Sequence, residues 1–355
     1  MNVVHIIDLI SQKYHGGAAQ ACFHLAEAQA RQGHTVTIIS SNCKAKDQEA
    51  PQGVRLIKLR CLDLFGKVRI TPGLVFREFG DTDIIHLHTF RTFMNIVAAN
   101  TIKPCVLQAH GCMPQYSFTN PVQDIVWKNL VFKRALRYLA STEHERTQYM
   151  EYGADPKDIS IVPMGIDLRE FCDIPERQPS NQKKILFVGR LHEIKGLDLL
   201  IESFSRITEP GIILQIAGPD DGYEAEARNA VHVYGMDKRI QFLGGVYGRG
   251  KLQLYVNADV VVVPSRYESF GISWLESLAC GTPVILTDAC AAANLLPPFC
   301  GQVVPRIAGN MAHAILDSVM WSDQDRESRR HWAFQFDWGN IAEDVLMIYE
   351  DVLRG

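Results

Sequence analysis

Short runs of aliphatic and β-branched residues alternate from end to end with stretches whose apolar positions recur every three or four residues. This pattern predicts parallel strands joined by helices that cover both sheet faces. In the first half the strand-like runs are residues 3–7, 35–40, 54–59, 84–88, 105–108, 138–141 and 159–162. Between the first two, Cys22, Leu25, Ala26 and Ala30 fall at helical spacing and Gly33 supplies a stop, so the chain opens on a βαβ unit. A polar stretch marked by Pro163, Pro175 and Pro179 and closed by Lys183-Lys184 breaks the alternation. It restarts with strands at 185–188, 213–217, 240–243, 260–263 and 283–286, separated by helices at 196–207, 224–234, 251–257 and 272–279. This second domain is expected to end near residue 308. The final segment gathers Ile341, Val345, Leu346, Ile348, Tyr349 and Val352 on one apolar face that must dock.

At 355 residues the chain exceeds the ~250–300 at which a single core stops growing, so the break is expected to separate two domains. The expected organisation is an N-terminal Rossmann-like domain over 1–165, a linker over 166–182, a C-terminal Rossmann-like domain over 183–335 and a closing helix in 336–355. A ligand is then expected at the carboxyl ends of the strands, between the halves. Apolar residues at 47% and charged residues at 21% exclude a disordered or fibrous chain. The net charge of −4 divides unevenly: residues 1–170 hold 19 Lys and Arg against 16 Asp and Glu, and residues 171–355 hold 17 against 24. Neither half has the basic excess of a nucleic-acid binder. Nine cysteines without a CxxC pair indicate neither a disulfide framework nor a zinc site, and point to the reduced cytoplasm. The N-terminus reads as a first strand and not as a signal peptide, and no run approaches the ~18 apolar residues of a membrane span.

Candidate chemistry sits where strands end. After the first strand, Gly16 and Gly17 open directly into a helix, where backbone N–H groups and the helix dipole can meet an anion; a ligand-free glycine turn would look the same. The GxGxxG spacing of dinucleotide binders is missing. After the first strand of the second half come Gly189, Arg190 and Lys195, two cations five residues apart that fit a diphosphate clamp. The densest segment spans residues 260–285: its strand stops at Pro264, and a hydroxyl-rich loop feeds a helix near Gly271. The N–H groups of Phe270, Gly271 and Ile272 are thus helix-start donors. Glu268 and Glu276 would lie about 12 Å apart in a helix, against the ~5–5.5 Å of a retaining glycosidase pair, so they can grip two parts of one long ligand. The plainer alternative makes Glu268 a helix-start carboxylate and Glu276 a solvated side chain.

With Pro264-Ser265 before them and Ala279-Cys280-Gly281-Thr282-Pro283-Val284 behind, Glu268 and Glu276 resemble the Glu-x7-Glu motif of glycosyltransferase family 4, retaining enzymes of the GT-B fold. Gly16-Gly17 resembles the family's N-terminal glycine loop, Gly189-Arg190-Leu191 with Lys195-Gly196 its phosphate clamp, and Ala217-Gly218-Pro219 its next strand end. Phe336-Asp337-Trp338 resembles the segment that crosses back onto the N-terminal domain. The resemblance implies an α/β fold of two doubly wound Rossmann-like domains facing an interdomain cleft. It implies that Arg190 and Lys195 hold the donor diphosphate as it leaves, that Glu268 contacts sugar hydroxyls and that Glu276 contacts the ribose. Ser269, Phe270, Gly271 and Ile272 would meet phosphate, with Gly16, Gly17 and Gly189, and Val246 would position the base. His110, after the run at 105–108, matches the histidine that the family places beside the transferred sugar. Residue type alone leaves open whether it binds the sugar, moves a proton or is merely structural.

Other features stay plain. His86 and His88 share one strand face and could mimic a metal pair, but core or acceptor-lining roles are favoured. Asp81-Thr82-Asp83 precedes a strand and reads as a solvated turn, and no metal or cofactor is expected beyond the nucleotide sugar as co-substrate. The family often has Asn where this chain has Met164, which puts a polar role there in doubt. Trp127 to Arg137 carries Lys128, Lys133, Arg134 and Arg137 beside apolar residues. That suits a helix lying on the inner face of the cell membrane, though a packed helix with a basic solvent face is favoured. The reading is a cytoplasmic, metal-independent retaining glycosyltransferase that moves a hexose from a nucleotide sugar to a glycan or lipid-linked acceptor in polysaccharide or lipopolysaccharide biosynthesis. A nucleotide-sugar epimerase of the same fold and a non-enzymatic two-lobed sugar-binding protein are the alternatives.

Overall fold

The computed structural model describes residues 1–8, 17–42, 49–64, 68–75, 79–112, 121–318, 321 and 325–355. They fall into two compact units, Met1–Gly165 with Trp338–Gly355, and Ile166–Asp337.

The first unit begins β1 (Asn2–Ile7), α1 (Gly17–Arg31), β2 (Thr35–Ser41), β3 (Val54–Leu59). A small antiparallel hairpin follows, β4 (Leu62–Leu64) with β5 (Val68–Ile70), and then α2 (Pro72–Val75). The unit continues β6 (Ile84–His88), α3 (Phe93–Ala99), β7 (Cys105–Gln108), α4 (Pro121–Leu130), β8 (Arg137–Ala140), α5 (Glu143–Tyr152), β9 (Ile159–Ile161). Seven strands form a parallel sheet of order β3-β2-β1-β6-β7-β8-β9. All five residues of β6 are buried, as expected of a parallel strand covered on both faces. Val4, Ile6, Ile85, Leu87 and Leu107 pack into one cluster, while Ile7, Val36 and Ile38 pack with Cys22 and Ala26 of α1 in another. The order reverses between β1 and β6, the position at which open α/β sheets bind ligands.

The second unit runs β10 (Lys183–Val188), α6 (Leu197–Ser205), β11 (Ile212–Ala217), α7 (Glu224–Val233), β12 (Ile240–Gly244), α8 (Gly248–Asn257), β13 (Val260–Val263). It goes on through α9 (Ile272–Ala279), β14 (Val284–Thr287), β15 (Gly301–Val304), α10 (Ala308–Ser318) and α11 (Arg326–Phe334). The sheet order β12-β11-β10-β13-β14-β15 reverses between β10 and β13. The chain then returns to the first unit as α12 (Trp338–Arg354), whose buried Trp338, Ile341, Val345 and Tyr349 form the docking face; Gln32 Nε2 of the α1 end donates to Gly339 O at 2.9 Å.

Some local expectations are changed by the structure. The second unit does not end near 308: α10 and α11 continue it, and Met311 and Ile315 of α10 are fully buried in its core. Residues 166–182, expected as a linker, group with the second unit, where Ile166 N donates to Phe336 O at 2.8 Å and Phe171 is buried. The basic segment from Trp127 to Arg137 is not one helix: α4 stops at Leu130, a 3-10 turn covers Phe132–Arg134, and Arg137 begins β8. Val131 and Phe132 are buried in the core and Arg137 pairs with Asp158 at 3.0 Å, so the aromatic side faces inward. Among the described residues no helix is long and apolar enough to cross a membrane. Cys61 is disulfide-bonded where no bridge was expected, while Cys22, Cys105, Cys112, Cys172, Cys280, Cys290 and Cys300 are free.

Candidate active site

In the second unit the reversal point brings together residues 73 positions apart. Beyond β10, a 3-10 turn (Glu193–Lys195) carries Lys195, whose Nζ lies 2.5 Å from Glu268 Oε2 just past β13. Ser265 Oγ donates to the same carboxylate oxygen at 3.3 Å. A glycine makes the approach feasible: Gly196 has φ +69°, and a Cβ there would meet Pro264 O at 2.1 Å. Glu268 is also pinned through its backbone, donating to Ala289 O at 3.2 Å and accepting from Ala291 N at 2.8 Å.

Two residues on, the chain turns into α9. Phe270 O points inward and accepts from Trp274 Nε1 at 2.8 Å, and Gly271 takes φ +82°. Among the described residues no acceptor meets the backbone N–H groups of Ser269, Phe270 and Gly271. Next to Glu268, which Lys195 pairs with, such donors can meet an anion. Gly189 ends β10, and Arg190 beyond it is half exposed and paired with Asp221, apart from the Lys195–Glu268 pair. Val246 lies past the edge strand β12, two strands from β10, on the loop that enters α8.

Glu276, one turn into α9, is not a solvated side chain. Lys251 Nζ reaches one oxygen at 2.7 Å and Tyr255 OH the other at 2.8 Å. Burial pulls the Lys251 ammonium down, but Glu276 beside it more than compensates and holds it above the usual lysine value. Burial, with the same carboxylate, pushes the Tyr255 phenol well up. Lys251, Tyr255 and Asp221 were not anticipated. The i, i+4 spacing of Lys251 and Tyr255 on a helix facing α9 was the available signal.

In the first unit, His110 lies just past β7. It and Thr89, just past β6, are the two non-glycine residues with positive φ among those described, at 54° and 64°. Backbone strain of this kind persists only where the surroundings enforce it. Asn95 Nδ2 donates to His88 O and Thr89 O at 3.2 and 3.0 Å. From α5, Tyr149 OH accepts from Ala109 N at 2.7 Å, and the buried Glu145 accepts from Gly111 N at 2.7 Å and Ser141 N at 2.6 Å. Burial raises the Glu145 carboxyl, partly offset by those backbone donors. His110 is therefore gripped on both sides by residues that sequence reasoning missed. A nearby cavity of about 420 Å3 at the ends of β1 and β6 is lined by Asp8, Ala18, Arg69, Thr89, Arg91 and Cys112. Gly17 starts α1 beside it with open space around its Cα, and Gly16 lies outside the described residues. His86 and His88 are buried in hydrogen bonds, and Asp83 accepts from Asn2 N at 2.7 Å in a structural turn. Met164, where the family often has Asn, is buried.

Two parallel α/β units of this topology define the GT-B class of glycosyltransferase folds. Sucrose-phosphate synthase from Thermosynechococcus elongatus superposes with a TM-score of 0.81 over 100% of both chains at 21% identity. Anabaena HepE, solved with UDP and glucose, gives 0.79 over 99% of this chain and 100% of that one at 18% identity. In sequence, the D-inositol 3-phosphate glycosyltransferase of Jonesia denitrificans is 26% identical over 94% of this chain and 91% of its own. The family profile described as Glycosyltransferase Family 4 matches residues 15–170, and that described as Glycosyl transferases group 1 matches 170–333. The chain belongs to glycosyltransferase family 4.

Proposed function

We propose that this enzyme is a retaining hexosyltransferase that takes its sugar from a nucleoside diphosphate hexose and needs no metal. The observation that carries the reading is the Lys195–Glu268 pair beside helix-start N–H groups that lack acceptors. Lys195 and those N–H groups bind the diphosphate, with Arg190 turning from Asp221 to join them. As the bond from the anomeric carbon to the diphosphate breaks, negative charge grows on the leaving oxygen, and fixed donors aimed there stabilise it. The acceptor hydroxyl oxygen forms the new bond to the anomeric carbon, and its proton passes to the departing diphosphate oxygen. Glu268 orients the sugar hydroxyls, Glu276 the ribose, Val246 the base, and His110 lies beside the transferred sugar. The protein supplies through Lys195, Arg190 and α9 the positive charge that a divalent cation would otherwise bring. The acceptor is a glycan or lipid-linked glycan of surface-polysaccharide or lipopolysaccharide assembly, reached from the cytoplasmic side of the membrane.

UDP-hexoses are the donors to try first, since Anabaena HepE was solved with UDP and glucose. Purified protein is incubated with UDP-, GDP- and ADP-hexoses, with and without acceptor and chelator, and products are read by NMR. Transfer with retained anomeric configuration, unaffected by chelator, is expected. Donor epimerisation without acceptor, or binding without turnover, would overturn the reading.

A further inference from the structure

Beneath His110 an amide and two imidazoles form, with its own ring, one continuous hydrogen-bonded chain. Gln29 Oε1 of α1 lies 2.8 Å from His5 Nε2, His5 Nδ1 lies 2.9 Å from His88 Nε2, and His88 Nδ1 lies 2.8 Å from His110 Nε2. Gln29, His5 and His88 are fully buried. Burial holds all three rings neutral, with His5 lowered to about 4, His110 to about 3 and His88 well below the usual histidine value.

A neutral imidazole donates from one nitrogen and accepts at the other, so the direction of one bond sets all the rest. Gln29 turns its Nε2 to Tyr349 OH of α12 at 3.5 Å, and that hydroxyl pairs with His86 Nδ1 at 2.6 Å. The Gln29 oxygen faces His5, and a carbonyl oxygen can only accept. His5 must donate from Nε2 and accept at Nδ1. His88 then donates from Nε2 and accepts at Nδ1, and His110 donates from Nε2. What remains at the end of the chain is His110 Nδ1, buried and without a partner among the described residues.

We propose that Gln29, His5 and His88 are positioning residues that lock His110 in its Nε2–H tautomer, so that Nδ1 presents a standing hydrogen-bond acceptor to a ligand hydroxyl. The assignment rests on the reading that His110 lies beside the transferred sugar, and it sharpens that role. His110 has no proton to give at Nδ1, so it recognises an O–H donor and does not serve as a general acid there. A bare acceptor buried at a strained strand end rewards a ligand that donates to it, because an unsatisfied buried polar atom is costly.

The test reads the tautomer directly. The full-length protein is labelled with 15N-histidine and its ring nitrogens are observed at neutral pH, with His110→Gln used to identify the His110 signals. A pyridine-type Nδ1 and a pyrrole-type Nε2 are expected. The reverse assignment, or averaged shifts, would overturn the proposal, and this measurement needs no substrate. Gln29→Met removes the anchoring oxygen at similar volume, and Gln29→Glu keeps an acceptor. Averaged His110 shifts and a loss on the order of 10-fold in transfer kcat/KM are expected for Q29M with unchanged circular dichroism, with recovery of both in Q29E, since a wrong tautomer disables a catalytic histidine without moving it. Unchanged His110 shifts in Q29M would likewise overturn it. The expected tautomer in a protein that transfers no sugar would instead remove the glycosyltransfer reading and leave the relay standing.

Discussion

Lys195 and Glu268 sit 2.5 Å apart, each with less than a quarter of its side chain exposed, so neither charge can be removed without consequence for the other. Lys195→Met leaves the Glu268 carboxylate uncompensated and removes the cation proposed to meet the leaving diphosphate. Transfer kcat/KM is expected to fall about 100-fold or more, the range for deleting one fixed donor to a developing oxyanion. Arg190→Ala should act more weakly and mainly on donor KM, because that side chain is half exposed and already engaged by Asp221. Steady-state kinetics on both variants check this, and a Lys195→Met enzyme within twofold of wild type would mean the clamp is misassigned. Gly271 gives an independent handle on the same carboxylate. Its φ of +82° is unfavourable for alanine, and the added Cβ would lie 2.8 Å from Glu268 Cγ. Gly271→Ala should cost roughly 1–2 kcal/mol from the backbone alone, visible as a lower unfolding midpoint. It should also lose more activity than that destabilisation explains, because Glu268 is pushed aside.

Strand pairing explains what single residues do not. His5 pairs in register with His86, and His88 follows on the same face, so β1 and β6 stack three imidazoles under α1 and α12. With His110 they are four histidines kept neutral by burial, lowered to about 4 for His5, to about 3 for His110 and well below the usual value for the other two. The unfolded chain takes up protons at these sites near pH 6.5 while the folded one does not. Stability is therefore full above about pH 6.5 and drains as pH falls toward the folded values. Each histidine contributes a slope of up to ~1.4 kcal/mol per pH unit. Glu145, raised by burial, works in the opposite sense but is one group against four. Urea midpoints between pH 7.5 and 5 should drop steeply below 6.5, and a flat profile there would refute the neutral stack. The shared face of His86 and His88 was legible in the sequence, but the addition of His5 was not, because it depends on the register of strands some 80 residues apart. The aliphatic runs of β10 and of the all-valine β13, and the hydroxyl-rich loop that enters α9, could be read from the sequence alone. The hairpin of three-residue strands β4 and β5 was too short to show a pattern, and β15, Gly301-Gln302-Val303-Val304, has only two aliphatic residues to mark it. The basic stretch after Trp127 misled because its cations mimic one helical face, while burial of Val131 and Phe132 decided the backbone.

For the molecule as a whole, charge by half turns out to say little about where the donor binds. Residues 171–355 are the acidic part, with 17 Lys and Arg against 24 Asp and Glu, yet they hold the proposed diphosphate site. Local geometry overrides the sum: one half-buried ammonium and a few free N–H groups act at about 3 Å, whereas scattered surface carboxylates are screened over ~8 Å at physiological salt. A donor nucleotide should therefore act first on the second unit. Binding at 100 times Kd stabilises the folded state by about 2.7 kcal/mol, which for a body of 150–250 residues is a rise of several degrees in its midpoint. Hydrogen exchange with and without UDP should localise that gain to amides following β10 and β13 and in the first turn of α9, with little change in β3, β8 or β9 of the first unit. Added protection at the first turn of α1 would mark a contribution from Gly17, as the family resemblance implies. Protection confined to the first unit, with the residues around Lys195 and Gly271 unchanged, would place the nucleotide elsewhere and dissolve the assignment of the two halves.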